Sequence, residues 1–173
     1  RLASLDVPIV FDPVMVASSG STLASEATIH AFSRLMEVAS IVTPNAPELQ
    51  VLAGVAVATP EQLEDAARSL ARAKGIAVLA KGGHIEGEVV TDILVDAGGG
   101  TTRLQSRRIE TRDTHGTGCT LASGIACGLG MGMDMESAVH RARDYTIAAI
   151  AAAPGFGKGH GPMGHSLGKA HFD

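Results

Sequence analysis

A chain of 173 residues, 45% of them apolar, is long enough for one domain with its own core. A formal net charge of −4 and an aromatic content of 3% exclude a broad basic surface and a row of base-stacking rings, the usual equipment for nucleic acid. Cys119 and Cys127, the two cysteines, form neither a disulfide framework nor a zinc spacing, no stretch is apolar enough to span a membrane, and no basic-then-apolar leader opens the chain, so the reading is a cytoplasmic protein.

In chain order, Pro8 to Phe11 is a short apolar run that ends at Asp12-Pro13 and predicts a buried parallel strand with Asp12 at its carboxyl end. Ser18-Ser19-Gly20-Ser21 reads as a loop. Residues 26–38 have helical spacing, with Ile29, Phe32, Leu35 and Met36 on one face. Ser40 to Thr43 is a second strand. After it, Asn45 caps a helix to about Leu52, and Glu48 falls at the third helical position, as in a capping box. That role is structural. A carboxylate just past a strand end also suits a magnesium water shell, and the two roles are compatible.

Thr59-Pro60-Glu61-Gln62 starts a helix that runs to about Lys74 and stops at Gly75. Ile76 to Ala80 is a third buried strand, ending in Lys81-Gly82-Gly83-His84. Glu88 to Val95 and Arg103 to Ile109 are strands close enough in sequence to pair antiparallel at one side. Short apolar strands alternating with helices predict an α/β fold with a mainly parallel sheet.

The stretch Thr111-Arg112-Asp113-Thr114-His115-Gly116-Thr117-Gly118-Cys119-Thr120 reads as a glycine turn opening a helix near Cys119. Helix N-termini expose unpartnered backbone amides and carry about +0.5 charge. Gly116 and Gly118 keep side chains away from those amides, which makes an anion site suited to phosphate. A thiol at such a place has its pKa drawn down from about 8.5, so Cys119 can act as a base. The alternative is a turn with a small buried cysteine. A small-residue helix follows from Leu121 to about Met131, and Asp134 caps a last helix through Ala153. From about residue 155 the chain is a Gly/His-rich tail. Its Gly159-His160-Gly161-Pro162-Met163-Gly164 matches G-x-G-x-x-G only formally, since it follows a helix and no βαβ unit follows it. His160 and His165 read as a solvated tail rather than metal ligands.

Asp113 to Thr120 resembles the signature of the hydroxymethylpyrimidine phosphate kinases of the ribokinase superfamily, whose other members mostly carry Asp at the position of Cys119. Residues 10–16, Thr43 to Leu49, Lys81 to His84 and Gly159 to Pro162 match further segments in the family's order. The match covers nearly the whole chain and corresponds to the C-terminal two thirds of such a kinase, the family's N-terminal region carrying much of the substrate pocket. The resemblance implies a ribokinase-like layered fold over 1–173, with helices on both faces of the sheet. It implies ATP-dependent phosphorylation of the hydroxymethyl group of 4-amino-5-hydroxymethyl-2-methylpyrimidine and of its monophosphate, in thiamine biosynthesis.

On that resemblance Asp12 and Glu48 hold Mg²⁺, Lys81, Thr114 and Thr117 bind the nucleotide, and Gly116, Gly118 and Cys119 are catalytic. Asp12, Glu48, Lys81 and Cys119 should converge at one edge of the sheet. The expected partners are a small-molecule substrate and a second copy in a homodimer, with no nucleic acid and no membrane. Three alternatives stay open: a pyridoxal kinase of the same superfamily, a non-catalytic nucleotide-binding fragment, and a thiol enzyme built on Cys119 and His115, which leaves Asp12, Glu48 and Lys81 unexplained.

Overall fold

The structure, a computed structural model, describes residues 2–15 and 25–167. The Ser18–Ser21 segment lies outside them. Two compact units divide the chain after Arg108.

The first unit holds a five-stranded sheet in the order β1 (Val10–Phe11), β2 (Ile41–Val42), β3 (Ala77–Ala80), β4 (Val89–Val95) and β5 (Thr101–Arg107). The α/β class is as expected, and the sheet is mixed. β1–β2 and β2–β3 are parallel, β3–β4 and β4–β5 antiparallel. Connection length decides this. A parallel return needs a crossover of about a dozen residues or more, and only residues 81–88 join β3 to β4, whereas β1 and β2 are each followed by helical connections. Val10 and Phe11 pair with Ile41 and Val42, which pair in turn with Ala77 and Val78. The ends of β1 and β2 are therefore level, and β3 runs two residues further, to Ala80.

Three helices join these strands. α1 (Glu26–Met36) starts at Ser25, whose hydroxyl accepts the Thr28 amide. Of its expected apolar stripe, Met36 is buried and the Phe32 ring meets Phe11 edge-on at 5.2 Å, but Leu35 is 37% exposed. α2 (Ala46–Ala53) carries the full capping box of Asn45 and Glu48. α3 (Pro60–Lys74) is capped by Thr59 and ends at Gly75 in the left-handed region, with Leu63, Ala66, Ala67, Leu70 and Ala71 buried. These residues join Val42, Leu49, Val78, Ala80, Ile93 and Val95 in one core. A buried Leu or Val side chain contributes roughly 1.5–3 kcal/mol, so this cluster is the main support of the strand ends.

The second unit is built on α4 (Thr117–Gly130) and α5 (Met135–Ala151). Asp134 caps α5 through the Ser137 amide and hydroxyl. The small residues of α4 let the two helices approach closely. A Cβ on Gly124 would sit 2.9 Å from the Ala142 methyl, and one on Gly128 equally close to that of Ala138. The last stretch is not a free tail throughout. Gly161, Met163 and Gly164 are buried, the Gly164 amide donates to the Ala149 carbonyl at 2.8 Å, and His160 and His165 are exposed.

Candidate functional site

Asp12 is the first residue past β1, Thr43 the first past β2 and Lys81 the first past β3. The backbone holds these ends together. The Thr43 amide donates to the Phe11 carbonyl at 3.0 Å, and the Lys81 amide to the Pro44 carbonyl at 2.8 Å. Their side chains then meet. Asp12 Oδ1 accepts from Thr43 Oγ1 at 2.8 Å and from Lys81 Nζ at 2.9 Å. The carboxyl ends of parallel strands are where open α/β sheets bind ligands.

Glu48 completes the cluster. It is 5% exposed. Its Oε2 accepts the Asn45 amide at 2.8 Å, while Asn45 Oδ1 accepts the Glu48 amide at 2.9 Å. Burial pushes the Glu48 carboxyl above the ordinary glutamate value; the Asn45 amide and the Lys81 charge pull against that rise, and the Asp12 charge adds to it. One lysine thus faces two carboxylates. A divalent cation would relieve the same imbalance. Mg²⁺ is commonly held by one or two carboxylates together with waters and substrate phosphates, so the donor set fits it. Among the described residues no three His, Cys, Asp or Glu side chains group as a metal cage.

The loop after Lys81 is firmly built. The Gly82 amide donates to Asp92 Oδ1 at 2.8 Å, and a Cβ on Gly82 would lie 2.0 Å from the Thr91 carbonyl oxygen. His84 has its pKa lowered by burial first, then by the charges of Lys81 and Arg108.

In the second unit the expected glycine turn is present, and its helix begins at Thr117, so Cys119 lies in the first turn. Gly116 is the cap residue, at φ +88°, and no side chain caps the first-turn amides. A left-handed backbone of this kind favours glycine. The Thr117 amide donates to the Thr114 carbonyl at 3.3 Å and the Thr120 amide to that of Gly116 at 2.9 Å. The amides of Gly118 and Cys119 belong to the set a helix start leaves without internal acceptors. The Cys119 thiol is free and exposed. It opens onto a groove of about 570 Å³ lined also by Cys127, Arg141, Tyr145 and His165. The turn is braced from behind. The His115 amide donates to the Gly161 carbonyl at 3.2 Å, and the absence of a side chain at Gly161 makes room for the buried Asp113 carboxylate.

Asp12, Glu48 and Lys81 are therefore brought together in the first unit, and Thr114, Gly116, Thr117, Gly118 and Cys119 share one turn in the second. Sequence reasoning missed Thr43, Asp92 and Arg108. Thr43 had a signal, its place at the end of an apolar run before Pro44. Arg108 had none.

The α/β fold is also that of solved pyridoxal kinases. An ADP complex of the Bacillus subtilis pyridoxal kinase superposes with a TM-score of 0.81 at 30% identity, over 91% of this chain and 60% of that one. The chain belongs to the phosphomethylpyrimidine kinase family, whose sequence profile matches residues 1–164. It is 43% identical over 160 residues to the thiamine biosynthesis bifunctional protein ThiED of Geobacter sulfurreducens, over 92% of this chain and 32% of the relative. It is equally identical, again over 160 residues, to the hydroxymethylpyrimidine/phosphomethylpyrimidine kinase of Rhizobium meliloti, over 90% of this chain and 60% of the relative. The chain thus spans less than two thirds of the length of these relatives.

Proposed function

We propose that the chain carries the metal- and phosphoryl-handling groups of a kinase that phosphorylates the hydroxymethyl group of 4-amino-5-hydroxymethyl-2-methylpyrimidine, and then the resulting monophosphate, from ATP in thiamine biosynthesis. The observation that carries this reading is the cluster of Asp12, Glu48 and Lys81 at adjacent strand ends. The names of the curated relatives supply the substrate class, and the ADP complex of the Bacillus kinase supports ATP as donor. No helix among the described residues is long and apolar enough to cross a membrane, and both thiols are free, which supports a cytoplasmic setting.

Phosphoryl transfer depends mainly on positioning and on neutralising charge. Asp12 and Glu48 would hold Mg²⁺, which when bound draws charge from the transferring phosphate. Lys81 lies against Asp12 and would turn its ammonium to the nucleotide phosphates, with Thr114 and Thr117 contacting them from the glycine turn. The amides of Gly116 to Cys119 would hold the γ-phosphoryl group. Cys119 Sγ takes the proton of the substrate hydroxyl, the freed oxygen bonds to phosphorus, and the bond from phosphorus to the bridging oxygen of ADP breaks. We propose that both groups of residues serve this one reaction within a single kinase domain spanning 1–173.

The test is an ATP-dependence assay on hydroxymethylpyrimidine, its monophosphate and pyridoxal, side by side. ADP release with either pyrimidine supports the proposal. Release with pyridoxal alone assigns the activity of the Bacillus relative instead. Nucleotide binding without turnover marks a binding fragment, and a chain that binds no nucleotide refutes the proposal.

A further inference from the structure

The Arg108 guanidinium is wrapped by one loop. Its Nε donates to the Gly87 carbonyl at 2.7 Å, its Nη1 to that of Gly83 at 2.9 Å and its Nη2 to that of Ile85. Its own amide donates to the Glu88 carbonyl at 2.7 Å. Carbonyls of alternate residues thus converge on a single cation. Without it three oxygen dipoles would face one another.

The loop is the one that leaves Lys81. It is pinned at its start by the Gly82 amide on Asp92 and by the Ile85 amide on the Gly82 carbonyl at 2.9 Å. Ile85 packs against the core, and His84 sits at the middle of the loop. Charge alone does not require arginine here. A planar fork with five donors can reach three carbonyls at once, and a lysine ammonium is a compact point charge. The contrast with Arg103, on β5 just before it, is useful, since that side chain pairs with the half-buried Glu64 instead of with the loop.

We infer that Arg108 is a positioning residue, whose guanidinium sets the loop of residues 82–87 and thereby the placement of Lys81 toward the nucleotide. The inference rests on the reading of Lys81 as a nucleotide ligand. Through its effect on the loop alone, Arg108 should govern ATP affinity and leave the transfer step nearly untouched.

The experiment compares Arg108→Lys, Arg108→Ala and the control Arg103→Ala. It reads amide hydrogen exchange at residues 83–88, ATP binding by calorimetry, and KM against kcat. Each Arg108 variant should exchange faster there by about 10-fold or more, since each lost bond was charge-assisted. Both should bind ATP about 10-fold more weakly, by the same measure of one lost charge-assisted bond, with kcat little changed. Added methylguanidinium should restore the Arg108→Ala loop and its ATP affinity, and methylammonium should not. Arg103→Ala should match the parent throughout. Parent-like exchange in Arg108→Ala overturns the inference. So does an Arg108→Lys variant with parent ATP affinity, which would show that charge alone acts. If the parent itself binds no ATP, the kinase reading fails, and exchange with rescue still decides whether Arg108 holds the loop.

Discussion

Glu48→Gln separates the two tasks assigned to one carboxylate. In the capping box Glu48 accepts the Asn45 amide, and a glutamine oxygen can accept the same bond. The substitution loses the charged character of that bond, a difference of about 1 kcal/mol between charged and neutral hydrogen bonds. It also removes the cost of keeping a charge at a position only 5% exposed. The two effects oppose each other, so stability at neutral pH should stay within about 1 kcal/mol of the parent, or a shift in Tm of roughly 2–4 °C for a chain of this size. Mg²⁺-dependent turnover should fall about 10- to 100-fold, the range for losing a group that supports a metal.

The pH dependence gives a second readout. The folded-state pKa of Glu48 is raised. Its contribution to stability is therefore fully present below the ordinary glutamate value of about 4.3, and is lost as pH rises through the raised value. The parent should lose stability relative to Glu48→Gln across that window, and Mg²⁺ affinity should increase across the same window as the carboxylate ionises. Thermal melts and ATP turnover against magnesium concentration, each as a function of pH, measure both. A variant that melts far lower while turning over normally would refute the reasoning and leave the cap as the only role.

The neighbouring glycines of the Lys81 loop should respond oppositely. Gly82→Ala drives a methyl into the Thr91 carbonyl and should cost about 1–3 kcal/mol or more, whereas Gly83→Ala meets nothing within 4 Å and should stay within about 0.5 kcal/mol by denaturant melts. Lys81→Met removes the charge facing Asp12 and Glu48, so it should weaken ATP binding and move the acidic limb of the magnesium-dependent rate to higher pH. Cys119→Asp should keep measurable kinase activity with its profile shifted toward lower pH, because free Asp titrates near about 3.9. Cys119→Ala should lose about 10²–10⁴-fold in turnover while still binding nucleotide, and a covalent substrate adduct on Cys119 by mass spectrometry would overturn its role as base.

How much of this was legible in the sequence depends on where each signal resides. α3 could be bounded to the residue because Thr59, Pro60 and Gly75 each satisfy a specific backbone need at a helix end. The start of α4 was placed near Cys119 instead of at Thr117 because its cap is Gly116, which works through a left-handed backbone and makes no side-chain bond. The helix start therefore lacked the Ser, Thr, Asp or Asn that ordinarily announces one. Leu35 has the right spacing and the wrong exposure, since periodicity specifies a face and not how far a neighbour covers it. Strand-end positions were legible because an apolar run has a visible last residue, and so Asp12, Glu48 and Lys81 could be named.

Contacts from a side chain to backbone leave no such mark. Every residue of the Lys81 loop has a carbonyl, so nothing in the composition of residues 82–87 says that Arg108 is their common donor. The structural and functional readings of Glu48 were never true alternatives. The capping bond to Asn45 orients the carboxylate, and Asn45 is itself bridged to Lys81 in parallel register. The cap is thus the device that carries a buried carboxylate to the end of β2, within electrostatic reach of Asp12 and Lys81. A substitution that kept a negative charge but lost the cap, such as Glu48→Asp, should therefore be worse for magnesium-dependent turnover than its conserved charge suggests, because the shorter side chain cannot both reach the Asn45 amide and keep its place beside Lys81.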